Sequence, residues 1–177
     1  MADHPLARSC HARNHNPIAL LLDPAAKRPG SIPPSRNTDG EFEQFESVAF
    51  GLQAAVLQLR GYVRQQHADT LAKLVFCHLR NRRLPNRAPL TDKDMVSYMA
   101  RVGRVAGFRP DQRLDFLRAE NLKPVLQALI SVETCRKLPS DAEINAVLAS
   151  AGIPFSPHLA DTPRAAPETR FAAIPDP

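Results

Sequence analysis

Tryptophan is absent from this chain, tyrosine occurs twice and glycine only seven times among 177 residues. With so few aromatics, the sequence offers no interleaved stacking platform for single-stranded nucleic acid. Cysteine occurs three times, as Cys10, Cys77 and Cys135, and no C-x-x-C pair is present. That odd, scattered set excludes a disulfide framework and fits reduced thiols in the cytoplasm. The longest early apolar run, Ile18 to Leu22, is too short for a signal-peptide core and is followed by Asp23-Pro24. No stretch approaches the roughly 20 apolar residues of a membrane-spanning helix. There is no P-loop, no Gly-rich dinucleotide loop and no serine elbow. Nucleotide-dependent and serine-hydrolase chemistry therefore have no foothold, and no cofactor is expected.

Proline and positive charge are plentiful. Of 17 prolines, 12 fall in residues 1–40 and 153–177. This distribution predicts a folded helical domain at 41–152 between a Pro-rich N-terminal tail, 1–40, and a Pro-rich C-terminal tail, 153–177, both disordered. An anchored stretch at 13–22 is the one exception expected within the first tail. The net charge is +5, and residues 41–152 carry 16 Lys and Arg against 12 Asp and Glu. A basic surface raises encounter with polyanions, including nucleic acid and peptidoglycan-associated polymers.

Helical periodicity runs through the centre. Phe42, Phe45, Ala49, Leu52, Val56, Leu59 and Val63 alternate spacings of three and four and predict a first helix. Gly51 and Gly61 interrupt its propensity, which points to close packing or a break. A second helix is expected from Asp69 to about Arg82, with Leu71, Leu74, Val75 and Leu79 inward. Thr91 reads as an N-cap with Asp94 at the third helical position, and Gly107 as the stop. A short helix near Pro110 would carry Leu114 and Leu117, and Asn121 would cap the next helix. Ser140 and Glu143 form a capping-box pattern ahead of Ile144, Val147 and Leu148. No window alternates long enough to predict a strand. The expected fold is all-α, a compact bundle of five to six helices.

Spaced fragments also carry a resemblance. They are Arg13-Asn14-His15-Asn16-Pro17, then Phe45-Glu46-Ser47 with Gly51 and Ala54, then Ala88-Pro89 with Asp92, Asp94 and Tyr98, then Glu133. In order and spacing they resemble a phage and prophage family with an R-N-N-N-P-G-N-I-R type motif. Its members are described as virion structural proteins of lysozyme-like or transglycosylase-like character. The resemblance covers roughly residues 13–153 and implies a lysozyme-like bundle, with peptidoglycan or virion proteins as partners. It points to Glu133 and Asp92 as the catalytic acids, if catalysis survives, and to Asn14, Asn16, Asp94 and Tyr98 as ligand-binding residues. The chain departs from the pattern at several polar positions. Ile18-Ala19-Leu20-Leu21 stands where the family shows Gly-Asn-Ile-Arg, Val48-Ala49 replaces Pro-Glu, Gln53 replaces Arg and Arg87 replaces Trp.

Three functions remain open on the sequence. The first is a phage- or prophage-derived virion structural or peptidoglycan-associated protein that has lost catalysis, cytoplasmic as synthesised and carried in the virion. The second is an active glycosidase or lytic transglycosylase, for which a carboxyl at the end of an apolar helix is a suitable general acid. Against it, Asp92 and Asp94 also read as first-turn residues facing a helix dipole, and Glu133 as a solvated residue on a polar helix face. The third is a basic helical module that binds nucleic acid or a protein through Arg80, Arg82, Arg83 and Arg87, joined by Arg101, Arg104, Arg109 and Arg113. His4, Cys10, His11 and His15 match no zinc signature, so no metal site is expected. Cys77 reads as a small core residue rather than a nucleophile paired with His78, because adjacent helix positions diverge.

Overall fold

The computed structural model describes residues 14–80, 90–134 and 139–155. Among these residues the protein is all-α, with five helices and no regular strand. The helices are α1 (Val48–Gln66), α2 (Leu71–Arg80), α3 (Asp92–Ala106), α4 (Ala119–Thr134) and α5 (Asp141–Ser150). Each packs against the next, and α1 also packs against α5, so the pairing order closes on itself.

The caps act where their chemistry predicts. Ser47 caps α1 by accepting from the Phe50 N–H. The Thr91 hydroxyl accepts from the Asp94 N–H, and the Asp94 carboxylate accepts from the Thr91 N–H. Ser140 and Glu143 form the same reciprocal pair at α5. Each pair satisfies two amide donors that a helix start leaves over. Gly107 closes α3 at φ 71°, in the left-handed region that glycine enters without strain. Inside, Leu52, Ala55, Val56 and Leu59 of α1 meet Leu71, Leu74 and Val75 of α2, Val102 of α3 and Leu122, Leu126 and Leu129 of α4 in one cluster.

Several boundaries differ from expectation. The first helix starts at Val48, not near Phe42, and Ala49 is exposed rather than inward. Phe42 and Phe45 are buried, but in an extended segment. The α4 helix begins at Ala119, so Asn121 lies in its first turn and its side-chain N–H donates to the Asp115 carbonyl at 2.9 Å. The segment near Pro110 forms turns, not a helix, and Arg113 bridges to Thr70.

The largest departure concerns residues 14–47, most of which fell to the N-terminal tail in the sequence reading. Residues 41–46 run extended and are bonded along both edges. On one side Leu22 N donates to Glu41 O at 2.9 Å and Glu43 N to Leu20 O at 3.0 Å. On the other, Ile32 N donates to Gln44 O at 2.8 Å and Glu46 N to Gly30 O at 2.9 Å. Ile18, Ala19 and Leu20 are buried, as the anchored stretch within 13–22 requires. Residues 1–13 and 156–177 lie outside the described residues, so the outer parts of both expected tails do too.

Glycine in a helix interior costs about 1 kcal/mol relative to alanine. At Gly51 packing demands it, because a Cβ there would stand 1.8 Å from the His15 carbonyl oxygen. At Gly61 a Cβ would meet nothing within 4 Å. The helix runs through both.

Leu52 is 1% exposed at the centre of α1. Leu52→Ala is expected to cost roughly 2–5 kcal/mol by loss of buried surface and creation of a cavity. Urea denaturation followed by circular dichroism measures this, and an unchanged midpoint would contradict the packing of α1.

Candidate functional site

Three helices contribute one buried polar cluster. Tyr98 sits mid-way along α3, Glu133 one residue from the end of α4, and His78 near the end of α2. Their exposures are 1%, 3% and 2%. The Tyr98 hydroxyl donates to Glu133 Oε1. His78 Nε2 lies 3.9 Å from the same oxygen. Glu133 is thus a core residue, not a solvated one on the polar face of its helix. Each group belongs to an apolar stripe. His78 follows Leu71, Leu74 and Val75, Tyr98 lies between Met95 and Val102, and Glu133 follows Leu122, Leu126 and Leu129. The packing that buries these stripes carries the three polar groups inward together. A carboxyl in such surroundings costs free energy unless bonded, and the tyrosine bond offsets that cost.

His78 also lines a pocket of about 170 Å³ between α1, α2 and the N-terminal segment. The other polar walls are Asp23, Arg28, Gln58 and Tyr62, and the apolar wall is Ala19, Leu20 and Leu21. Arg28 is braced twice. It donates from Nη1 to Glu43 Oε1 at 2.5 Å and from Nη2 to Gln58 Oε1 at 2.8 Å. Glu43 is buried, and its Oε2 has no hydrogen-bond partner among the described residues. Burial pushes the Glu43 carboxyl above its ordinary value, against the Arg28 charge that lowers it. Cys77, next to His78, is buried, as expected of a core thiol, and burial raises its pKa. That favours the unreactive thiol over the thiolate.

The sequence-derived candidates fall into different places. The structure joins Tyr98 to Glu133. Asp92 is exposed at the first residue of α3, about 9 Å along the helix axis from Tyr98. Asp94 belongs to the capping box. Asn16 is fully buried, and its amide clamps a turn. The Nδ2 donates to Leu20 O at 2.8 Å and to Glu43 O at 3.0 Å, while Oδ1 accepts from Leu20 N at 2.8 Å. Asn14 donates to Asp39 Oδ2 at 2.9 Å and accepts from Gln44 Nε2 at 3.0 Å. These two amides hold the protein's own backbone and side chains. Arg80 is exposed, whereas Arg82, Arg83 and Arg87 lie outside the described residues. Arg109 has Asp111 at 3.4 Å and Arg113 has Asp69 at 3.7 Å, which dilutes the positive face there. No group of three or more His, Cys, Asp or Glu able to hold a metal occurs among the described residues, and no described helix is long and apolar enough to cross a membrane.

Sequence patterning assigns no role to Arg28 or Glu43 and raises His78 only as a neighbour of Cys77. A signal for His78 was present, since residues 71, 74, 75 and 78 share one helix face. Nothing periodic marks Arg28 or Glu43, whose pairing spans an irregular loop.

Two outcomes follow from these buried groups. Glu43 titrates above its ordinary value of 4.5 in the folded state. Its stabilising contribution is complete below that value and is lost as pH rises through the raised folded value. Relative to wild type, Glu43→Gln should therefore gain stability as pH rises above 4.5 in urea titrations. A gap that stays constant with pH contradicts this. Tyr98→Phe removes the hydroxyl that Glu133 accepts from and should cost about 1–3 kcal/mol in the same assay.

Comparison with known protein families and with curated proteins finds no match to this chain.

Proposed function

We propose that this chain is a phage- or prophage-derived protein of the virion that associates with peptidoglycan and does not cleave it. The observation that carries the loss of cleavage is the burial of Glu133. Its side chain is 1% exposed and faces Tyr98 and His78 from inside the bundle. A general acid must place its proton on the glycosidic oxygen of the substrate, so it has to reach bound glycan directly or through one water. Glu133 does not line the pocket of about 170 Å³ beside His78, so that opening does not bring a glycan to its carboxyl. Glycosidases also pair the acid with a second carboxylate within about 5–9.5 Å in most families. Asp92, the other candidate, is exposed at the start of α3 and already lies against a helix N-terminus. The peptidoglycan and virion parts of this reading rest on the sequence resemblance and on the basic charge.

Purified protein incubated with sacculi is expected to release no soluble muropeptides at neutral or mildly acidic pH, and to sediment with the sacculi. Release that disappears in Glu133→Gln would overturn the reading and make Glu133 the general acid. Release that survives Glu133→Gln but not Asp92→Asn would move the site to the start of α3. Failure to sediment with sacculi, together with salt-dependent DNA binding, would favour the basic module instead.

A further inference from the structure

Gly61 is the unexplained glycine of α1. Glycine weakens a helix interior, and here no neighbouring atom requires it. What it does is keep one face of the helix low. A second pocket, of about 240 Å³, lies over that face, with Leu57, Gly61, Gln65 and Gln66 along it. It shares Arg28, Gln58 and Tyr62 with the pocket of about 170 Å³ beside His78. The two are halves of one groove, and the Arg28–Gln58 hydrogen bond is the strut between them.

We propose that this groove is a binding site for a neutral, polyhydroxylated chain, a glycan strand lying along α1 with Arg28 between successive sugar units. The inference rests on the peptidoglycan reading above and locates the binding surface away from Glu133. Charge argues for a neutral ligand. Glu43 offsets Arg28 at 2.5 Å, and the remaining carboxylate at the rim, Asp23, disfavours an anion. Gln58, Gln65 and Gln66 each carry an amide that both donates and accepts, which suits hydroxyl groups. Leu57, 40% exposed, offers an apolar contact for the C–H face of a sugar ring, and Gly61 leaves the space beside it open. A side chain at position 61 would occupy the space the ring needs.

The test uses N-acetylglucosamine tetramer as a soluble probe, with binding followed by calorimetry, beside sacculus sedimentation. Wild type is expected to bind the tetramer, and Gly61→Phe to lose roughly tenfold or more in affinity. The open space at residue 61 lets Gly61→Phe fold, which a melting curve checks. If that variant is unfolded, Gln65→Ala is expected to show the loss in its place. Wild-type binding that is unchanged in the folded Gly61→Phe variant, or in Gln65→Ala, overturns the groove. So does binding of an uncharged Gly-Ser peptide in preference to the tetramer. Sedimentation with sacculi but no tetramer binding overturns the groove and leaves the peptidoglycan reading standing. Tetramer binding without sedimentation overturns the peptidoglycan reading and leaves the groove.

Discussion

The arrangement depends on one close approach, the His15 carbonyl lying where a side chain at residue 51 would be. Gly51 lets the backbone of residues 14–17 press directly onto α1. From that crossing the rest of the N-terminal segment is placed. Phe45 N donates to Asn14 O at 2.9 Å, and the Phe45 carbonyl meets His15 Nδ1 at the same distance. Gln44 then reaches Asn14 at 3.0 Å and Thr38 at 2.8 Å, so the loop between is tied from within. Arg28 is carried to α1 by this loop. Without the crossing there is no wall opposite α1, and neither half of the groove exists.

A buried amide or carboxyl is costly unless its bonding capacity is met, and the protein meets it in two ways. In the N-terminal segment the bonds are local in space but distant in sequence, made by Asn14, Asn16 and Gln44 to loops and backbone. In the bundle they are made between helices, by Tyr98 and Glu133. The first set takes over the task that a sheet ladder performs elsewhere, giving partners to extended backbone that helices cannot supply. The second fixes the register of α3 against α4, because a slip of either helix would strand a carboxyl in the core. Glu43 is the incomplete case. One oxygen is held by Arg28 and the other has no partner among the described residues, and desolvation by burial outweighs the nearby positive charge.

The bundle was legible because helices announce themselves locally. Thr91 with Asp94, Ser140 with Glu143 and Gly107 each satisfy or end a helix through groups within four residues, so a sequence window contains the whole interaction. The N-terminal segment was not legible for the converse reason. The partners of Asn14 and Asn16 lie 25 to 30 residues away in the bonds to Asp39, Gln44 and Glu43, and its prolines imitate a tail. Phe42 and Phe45 fell by chance on the spacing of α1 and were absorbed into it. Of the candidate site, the Tyr98 and Glu133 positions were readable from the resemblance, but not that they touch. His78 shares the inward stripe of Leu71, Leu74 and Val75, a pattern that marks burial but not its polar neighbours.

The residues that carry the resemblance and those that depart from it sit in different surroundings. The residues that fit the phage pattern have visible structural tasks. Asn16 clamps a turn, Gly51 admits a backbone, Asp94 caps a helix, and Tyr98 bonds Glu133. The departures carry no such task for polar groups. Ile18, Ala19 and Leu20 are buried, Ile18 and Leu20 in the main apolar cluster and Ala19 beside Phe42 and Leu21. Val48 and Ala49 are exposed and Gln53 is half-buried on α1, where charge can be lost without loss of packing. The four matching residues are accounted for by the fold, and the two pockets along α1 are lined by none of them.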